Sequence, residues 1–260
     1  MSQFLYLERE SIFHRLHPSV KIIGLFISFI PALSFNHPAY IGILWLVFLP
    51  FGISSGGLRL LYRLRGLFLA ILFASFVLWT IFTPLGEEIL WQAGRLKITK
   101  AGLLYAGGMS LRLGLMLYLG LIFIASTSIE EIYYGLTRLG LPFPASFALS
   151  LSFRLVPIFS ESARTILEAQ RCRGLKIEGG ILNRLKSYLP IFIPVLFSAL
   201  RKVDQLSIAL ESRGFGARVK RTSWIQFRFQ KREGFFLFIL LLLAGICLAL
   251  RILGWGAVRF

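Results

Sequence analysis

The sequence predicts an all-α, polytopic membrane protein with about five transmembrane helices and a helical cytoplasmic domain. Three observations carry that prediction: a composition poor in charge, a series of apolar runs, and the segregation of cations between those runs. Of 260 residues, 56% are hydrophobic and 15% aromatic, while 16% are charged. A soluble domain carries about 25% charged residues, so the deficit points to lipid as solvent, as does a mean hydropathy of +0.73. The 29 Lys and Arg outnumber the 12 Asp and Glu, for a formal net charge of +17. Such an excess suits nucleic acid, an anionic membrane surface or the cytoplasmic loops of a membrane protein. The apolar runs decide for loops, which collect Lys and Arg on the cytoplasmic side, and no nucleic-acid partner is expected.

A spanning helix needs about 20 mostly apolar residues, and five candidates follow in order. The first covers about 20–35 and the second about 39–53, with Asn36-His37-Pro38 as the turn signal between them. Both are short, so tilt, a kink near Pro31 or extension into the interface is expected. The third covers 66–82 and ends at Thr83-Pro84-Leu85-Gly86. The fourth, 101–126, holds Gly107, Gly108, Gly114 and Gly120, small residues that let helices approach closely in lipid. Arg112 lies inside it. An intramembrane arginine is costly and faces the bundle interior or snorkels, which leaves a structural role and a place in a moving interface both open. The fifth, 235–253, runs through Phe235-Phe236-Leu237-Phe238-Ile239-Leu240-Leu241-Leu242-Leu243.

Three parts follow: a membrane domain of four spans (1–128), a basic helical region (129–233) and a final span (234–260). Arg59, Arg63 and Arg65 stand between spans two and three with no acid, and Arg228, Lys231 and Arg232 precede the last span. Placing these inside sets the amino terminus in, the Glu87 loop out, the basic region in and the carboxyl terminus out. The first twenty residues carry Glu8, Arg9, Glu10, His14 and Arg15 without a signal peptide's apolar core, so the first span is expected to direct insertion. Cys172 and Cys247 fit no metal spacing, and no disulfide is expected in a reducing compartment.

The basic region reads as helices. Ser128-Ile129-Glu130-Glu131 places a cap residue before first-turn acids, starting a short helix that ends near Gly140. Leu141-Pro142-Phe143-Pro144 breaks the chain, and long helices follow over about 145–173 and 181–213. The second contains an apolar run, 188–197, with Pro190 and Pro194. That run suits a helix at the membrane surface or against another membrane subunit, with a sixth span as the competing reading.

The two long helices end alike, in Ala169-Gln170-Arg171-Cys172-Arg173-Gly174 and Ala209-Leu210-Glu211-Ser212-Arg213-Gly214. Glycine past the last turn takes the left-handed conformation that closes a helix, and arginine suits the negative helix end. Ordinary capping therefore explains one copy. Two copies suggest more. An alanine one turn back leaves a smooth face, and the arginine projects a forked donor suited to carboxylates. Two such tips fit two acidic grooves, as a dimeric partner would supply.

These paired ends, with Ser11-Ile12-Phe13-His14-Arg15-Leu16-His17-Pro18-Ser19-Val20-Lys21 before the first span, resemble the transmembrane T component of energy-coupling factor transporters. That family includes the cobalt, nickel and biotin transporter permeases. Its Ser-x-x-His-x-Leu-x-Pro-x-x-Lys pattern often carries Asp where this chain has His17. The order of four spans, a basic helical region and a last span agrees over nearly the whole chain.

The resemblance implies a non-catalytic coupling subunit in a bacterial or archaeal cell (inner) membrane. Cys172-Arg173-Gly174 and Ser212-Arg213-Gly214, with Ala169 and Ala209 one turn back, would dock into two cytoplasmic ABC-type ATPases. Those partners would bind ATP and Mg, and this chain would hold no cofactor. The apolar coupling-helix surfaces would hold a small membrane subunit that selects a vitamin or transition-metal ion.

Other chemistries leave little trace. No Walker-type glycine loop is present, and Ser54-Ser55-Gly56-Gly57 lacks the lysine. His14 and His17 have no carboxylate or cysteine cluster beside them to complete a metal site. The rival reading is a membrane-bound enzyme that binds phosphate-bearing substrates through Arg184, Lys186, Arg201 and Lys202, with only Asp204 and Glu211 at hand for chemistry. Charge alone prompts a third, a nucleic-acid tether.

Overall fold

A computed structural model describes residues 16–83, 86, 88–93, 96–175, 180–217 and 231–256, with backbone only for 92, 93, 96, 97 and 181–187. The chain runs α1 (Pro18–Ser34), α2 (Pro38–Ser55), α3 (Gly57–Arg63), α4 (Arg65–Phe82), β1 (Ile89–Ala93), β2 (Leu96–Thr99), α5 (Lys100–Ser126), α6 (Ile129–Arg138), α7 (Phe143–Cys172), α8 (Ile181–Ser212) and α9 (Lys231–Ile252). It is an all-α, multi-pass membrane protein, with one short hairpin among the described residues. Helices α2, α4, α5, α7 and α9 are long and apolar enough to cross a bilayer. The number matches expectation, but the membership differs. Helix α1 is apolar but has 17 residues, and α7 qualifies by length and composition although the sequence placed it in the cytoplasmic region. Helix α8 continues through Pro190 and Pro194 and is not among the span-like helices.

Helices α1 and α2 start by one device. Proline occupies the first turn of each, where a missing N–H costs nothing. The preceding histidine accepts the next free N–H through Nδ1, His17 from Ser19 at 3.2 Å and His37 from Ala39 at 3.3 Å. Helix α5 is the centre of the membrane unit, packing on α1, α2, α3 and α4. Its Tyr118 is fully buried, stacks on Trp45 at 5.0 Å and donates its hydroxyl to the Leu49 carbonyl at 3.1 Å. Trp45 Nε1 donates to the Leu111 carbonyl at 3.1 Å. These bonds satisfy aromatic donors that lipid cannot. Gly108 faces the Asn36 carbonyl so closely that a Cβ there would collide with it, which is the close approach expected of a small residue in this helix.

Two elements escape a sequence reading. Helix α3 is a seven-residue turn opened by Gly56 at φ 83°, where only a serine-glycine patch was visible. The segment between α4 and α5 forms an antiparallel hairpin, with Trp91 opposite Ile98 and Ala93 opposite Leu96. Its strands are four and five residues long, shorter than a period-two pattern needs to stand out.

The chain divides into two compact units, 1–141 with 227–260, and 142–226. The first unit extends to Leu141 and includes α6, which packs against α1. In the second unit α7 and α8 form an antiparallel pair. Phe147 meets Phe215 at 4.6 Å, Lys202 Nζ donates to Ser162 Oγ at 2.6 Å, and Gln170 Nε2 donates to the Pro190 carbonyl at 3.4 Å.

Candidate coupling site

The two motif copies fold into the same structure. At the end of α7, Gly174 N donates to the Arg171 carbonyl and Leu175 N to the Gln170 carbonyl, both at 3.0 Å. At the end of α8, Gly214 N donates to Glu211 and Phe215 N to Leu210, both at 2.9 Å. This pair of bonds is the Schellman motif. It requires a left-handed residue after the cap, supplied by Gly174 at φ 87° and Gly214 at φ 74°. The cap residues Arg173 and Arg213 share one backbone conformation, φ −82°, ψ 9° and φ −89°, ψ 9°.

Helices α6 and α9 close with the same bonds, through Gly140 and Gly254. Their cap positions hold Leu139 and Leu253. Helix closure therefore does not require arginine, and its recurrence at α7 and α8 asks for another reason. Ala169, Cys172, Arg173, Gly174, Ala209, Ser212, Arg213 and Gly214 are all exposed. Ser212 Oγ donates to the Ala209 carbonyl at 3.0 Å. Among the described residues no carboxylate pairs with Arg173 or Arg213; the ion pairs are Lys21–Glu131 and Lys100–Glu88. The structure does not bring the two copies into one cluster. The antiparallel pairing puts them at opposite ends of the helix pair, on the order of 40 Å apart at 1.5 Å per residue. The result is two separated, exposed arginine caps of one backbone form.

The lead-in to α1 has a role that sequence reading missed. Residues 11–15 lie outside the described residues, but Leu16 to Lys21 are in place. Lys21 Nζ is buried against Glu131 Oε2 at 2.6 Å and the Ser126 carbonyl at 2.8 Å. Ser19 Oγ donates to the Gly135 carbonyl at 3.3 Å, and Gly135 sits directly against Pro18. Ser128 Oγ accepts from Glu131 N at 3.2 Å, the cap that the sequence predicted. His17 N donates to Glu233 Oε1 at 2.7 Å. Burial holds the His17 imidazole below the usual histidine value, opposed by Glu233 and assisted by Arg138. These contacts clamp α6, the last helix before α7, to α1, and tie the start of α9 to the same point. A lysine one turn into an apolar helix was the available signal, since such a charge needs a partner.

Only part of the cluster of the rival enzyme reading falls among the described side chains. Lys202 is engaged by Ser162 on α7, and the side chains of Arg184 and Lys186 lie outside the described residues, as does His14. Arg112, left open by the sequence, reaches Asn36 Oδ1 at 3.4 Å and Met109 Sδ at 3.6 Å.

Fold and site together define a helical membrane protein that offers paired cationic helix tips and, among its described residues, no metal-ligand cluster. Comparison with known proteins makes the class specific. The chain belongs to the CbiQ cobalt transport protein family, whose model matches residues 9–224. It is 28% identical over 265 residues to the energy-coupling factor transporter transmembrane protein EcfT of Lactococcus lactis, covering 97% of each chain. The protein of that name from Staphylococcus aureus is 29% identical, covering 96% of each. The one from Brevibacillus brevis is 31% identical, covering 88% of this chain and 90% of its own. Transport is thus the function class of the protein.

Proposed function

We propose that this chain is the transmembrane coupling subunit of an energy-coupling-factor importer. It links ATP hydrolysis by two cytoplasmic ABC-type ATPases to uptake of a vitamin or transition-metal ion through a separate small membrane subunit. The observation that carries this reading is the matched pair of exposed arginine caps on α7 and α8, seen in a chain similar to EcfT proteins over nearly its whole length.

Arg173 and Arg213 are the contact residues for acidic grooves on the ATPases, where a charge-assisted, bidentate bond is about twice as strong as a neutral one. Gly174 and Gly214 hold the arginine backbone in the capping conformation. Ala169 and Ala209 keep the adjacent face low, and Cys172 and Ser212 complete the two tips. ATP and Mg belong to the partner subunits, and this chain is non-catalytic. The unit 142–226 is cytoplasmic or at the cytoplasmic membrane surface, in a bacterial or archaeal cell membrane. Its exposed apolar faces, Phe153 and Val156 on α7 and Phe192 and Phe197 on α8, contact the substrate-binding membrane subunit. Closure of the ATPases around ATP moves the two tips.

The test is a tagged pull-down of the full chain from mild detergent, with identification of stoichiometric partners by mass. The reading expects one or two ABC-type ATPases and a small membrane protein, whose identity names the substrate. Recovery of the chain without an ATPase in several detergents would contradict it.

A further inference from the structure

The membrane unit contains a second pair of arginines. Arg112 lies in α5 and Arg251 in the last turn of α9. The turn between α1 and α2 brings them together. The Gly256 carbonyl, just past α9, accepts both Asn36 N and His37 N at 3.1 Å, and Asn36 Oδ1 accepts from Arg112 Nη1 at 3.4 Å. The two guanidinium charges are close enough to repel one another. Arg251 Nη1 is buried with no hydrogen-bond partner among the described residues.

Among the described residues, the long helices of this unit place no acid to neutralise them. Helices α1, α2, α4 and α5 contain no Asp or Glu, and the acid of α9, Glu233, is in its first turn, at the opposite end from Arg251. Glu88 pairs with Lys100. Two neighbouring arginines with no acid beside them among the described residues are unfavourable in a membrane domain unless an anion joins them. We propose that Arg112, Arg251 and Asn36 form a binding site for a phosphate oxyanion, at the membrane edge that carries the α1–α2 turn. The chemistry is that of two planar forks on one phosphate. Asn36 Nδ2 is a further donor, as is the hydroxyl of Tyr105, two turns before Arg112 on the same face of α5. The position in the last turn of a span is headgroup level, so the phosphate belongs either to an anionic phospholipid or to a free ion. The site uses none of the residues of the α7 and α8 tips.

Thermal unfolding of the full chain in detergent tests the site, with phosphatidylglycerol, phosphatidylcholine or inorganic phosphate added at constant ionic strength. Wild type is compared with Arg251→Gln, Arg251→Lys and the double variant Arg112→Gln/Arg251→Gln. Without added anion, Arg251→Gln should be at least as stable as wild type, because it removes a like charge. With the anion, wild type should rise by several degrees, Arg251→Lys should keep much of that shift, and Arg251→Gln should lose at least two thirds of it. A shift with phosphatidylglycerol that phosphatidylcholine does not give supports the site with a lipid source. A shift with inorganic phosphate alone supports it with a free-ion source. No shift with either, or equal shifts in wild type and Arg251→Gln, overturns the proposal. If the double variant does not fold, the wild-type titration and the two single variants decide.

Discussion

The two compact units treat their charges and apolar surface in opposite ways. In the unit built on α1–α6 and α9, Lys21 is buried against Glu131, His17 N is held by Glu233, and Tyr118 and Leu115 are fully enclosed. In the α7–α8 unit, Ser146 is the buried residue of α7, and no described side chain of α8 is buried. Arginines, phenylalanines and leucines alike stand open there. The membrane unit is a scaffold whose polar groups are mostly satisfied within itself. The helix pair, 30 and 32 residues long, is the surface that the proposed function assigns to partner chains. The clamp of α1 on α6 stands where one regime gives way to the other.

That contrast can be broken by substitution. Lys21→Met leaves Glu131 in its site without the ammonium. It should cost about 3–5 kcal/mol of membrane-unit stability, read as a lower unfolding temperature in detergent; an unchanged temperature would mean that the clamp is ornamental. Gly108→Ala drives a methyl group into the Asn36 carbonyl, whereas a Cβ at Gly107 meets nothing within 4 Å. The first should destabilise by about 1–3 kcal/mol and the second should be close to neutral, so equal effects would refute the packing of α5 on the α1–α2 turn.

A smaller effect follows from His17. Its folded-state value is depressed by burial, so folding favours the neutral imidazole, which accepts the Ser19 N–H. The stability it contributes is present above the unfolded value near 6.5 and is lost as pH falls through the folded value. Acidification below about pH 6.5 should therefore lower the unfolding temperature of wild type more than that of His17→Asn, which can still cap. Smallest in stability is Phe192→Ser on exposed α8, expected within about 0.5 kcal/mol of wild type, while retention of the small membrane subunit falls. A stability loss of several kcal/mol would place Phe192 in a core that this account does not give it.

Much of this was legible in the sequence. The long helices α5, α7, α8 and α9 declared themselves through run length, caps and terminal glycines. The Ser128 cap and both Arg-Gly ends fell where local chemistry put them, because capping depends on a few adjacent residues. What stayed hidden was non-local. Lys21 finds its partner across 110 residues and His17 across 216, and no spacing rule reaches that far. The hairpin was too short to show a period. Helix α7 falls in the basic region that its cations place inside, and it also has the length and composition of a span. At the candidate coupling site the capped form of both Arg-Gly ends was readable from adjacent residues. The sequence could not show that antiparallel packing sends the two tips to opposite ends of one helix pair.

The central claim is that Arg173 and Arg213 are docking groups and not helix caps that happen to match. The most direct test is co-purification of the ATPases with wild type and with Arg173→Glu/Arg213→Glu, alongside the unfolding temperature of each chain and uptake in cells. Because Leu139 and Leu253 close α6 and α9 with the same bonds, the account predicts an unfolding temperature close to wild type, with ATPase retention and uptake both lost. An intact, active complex with both arginines reversed would contradict it.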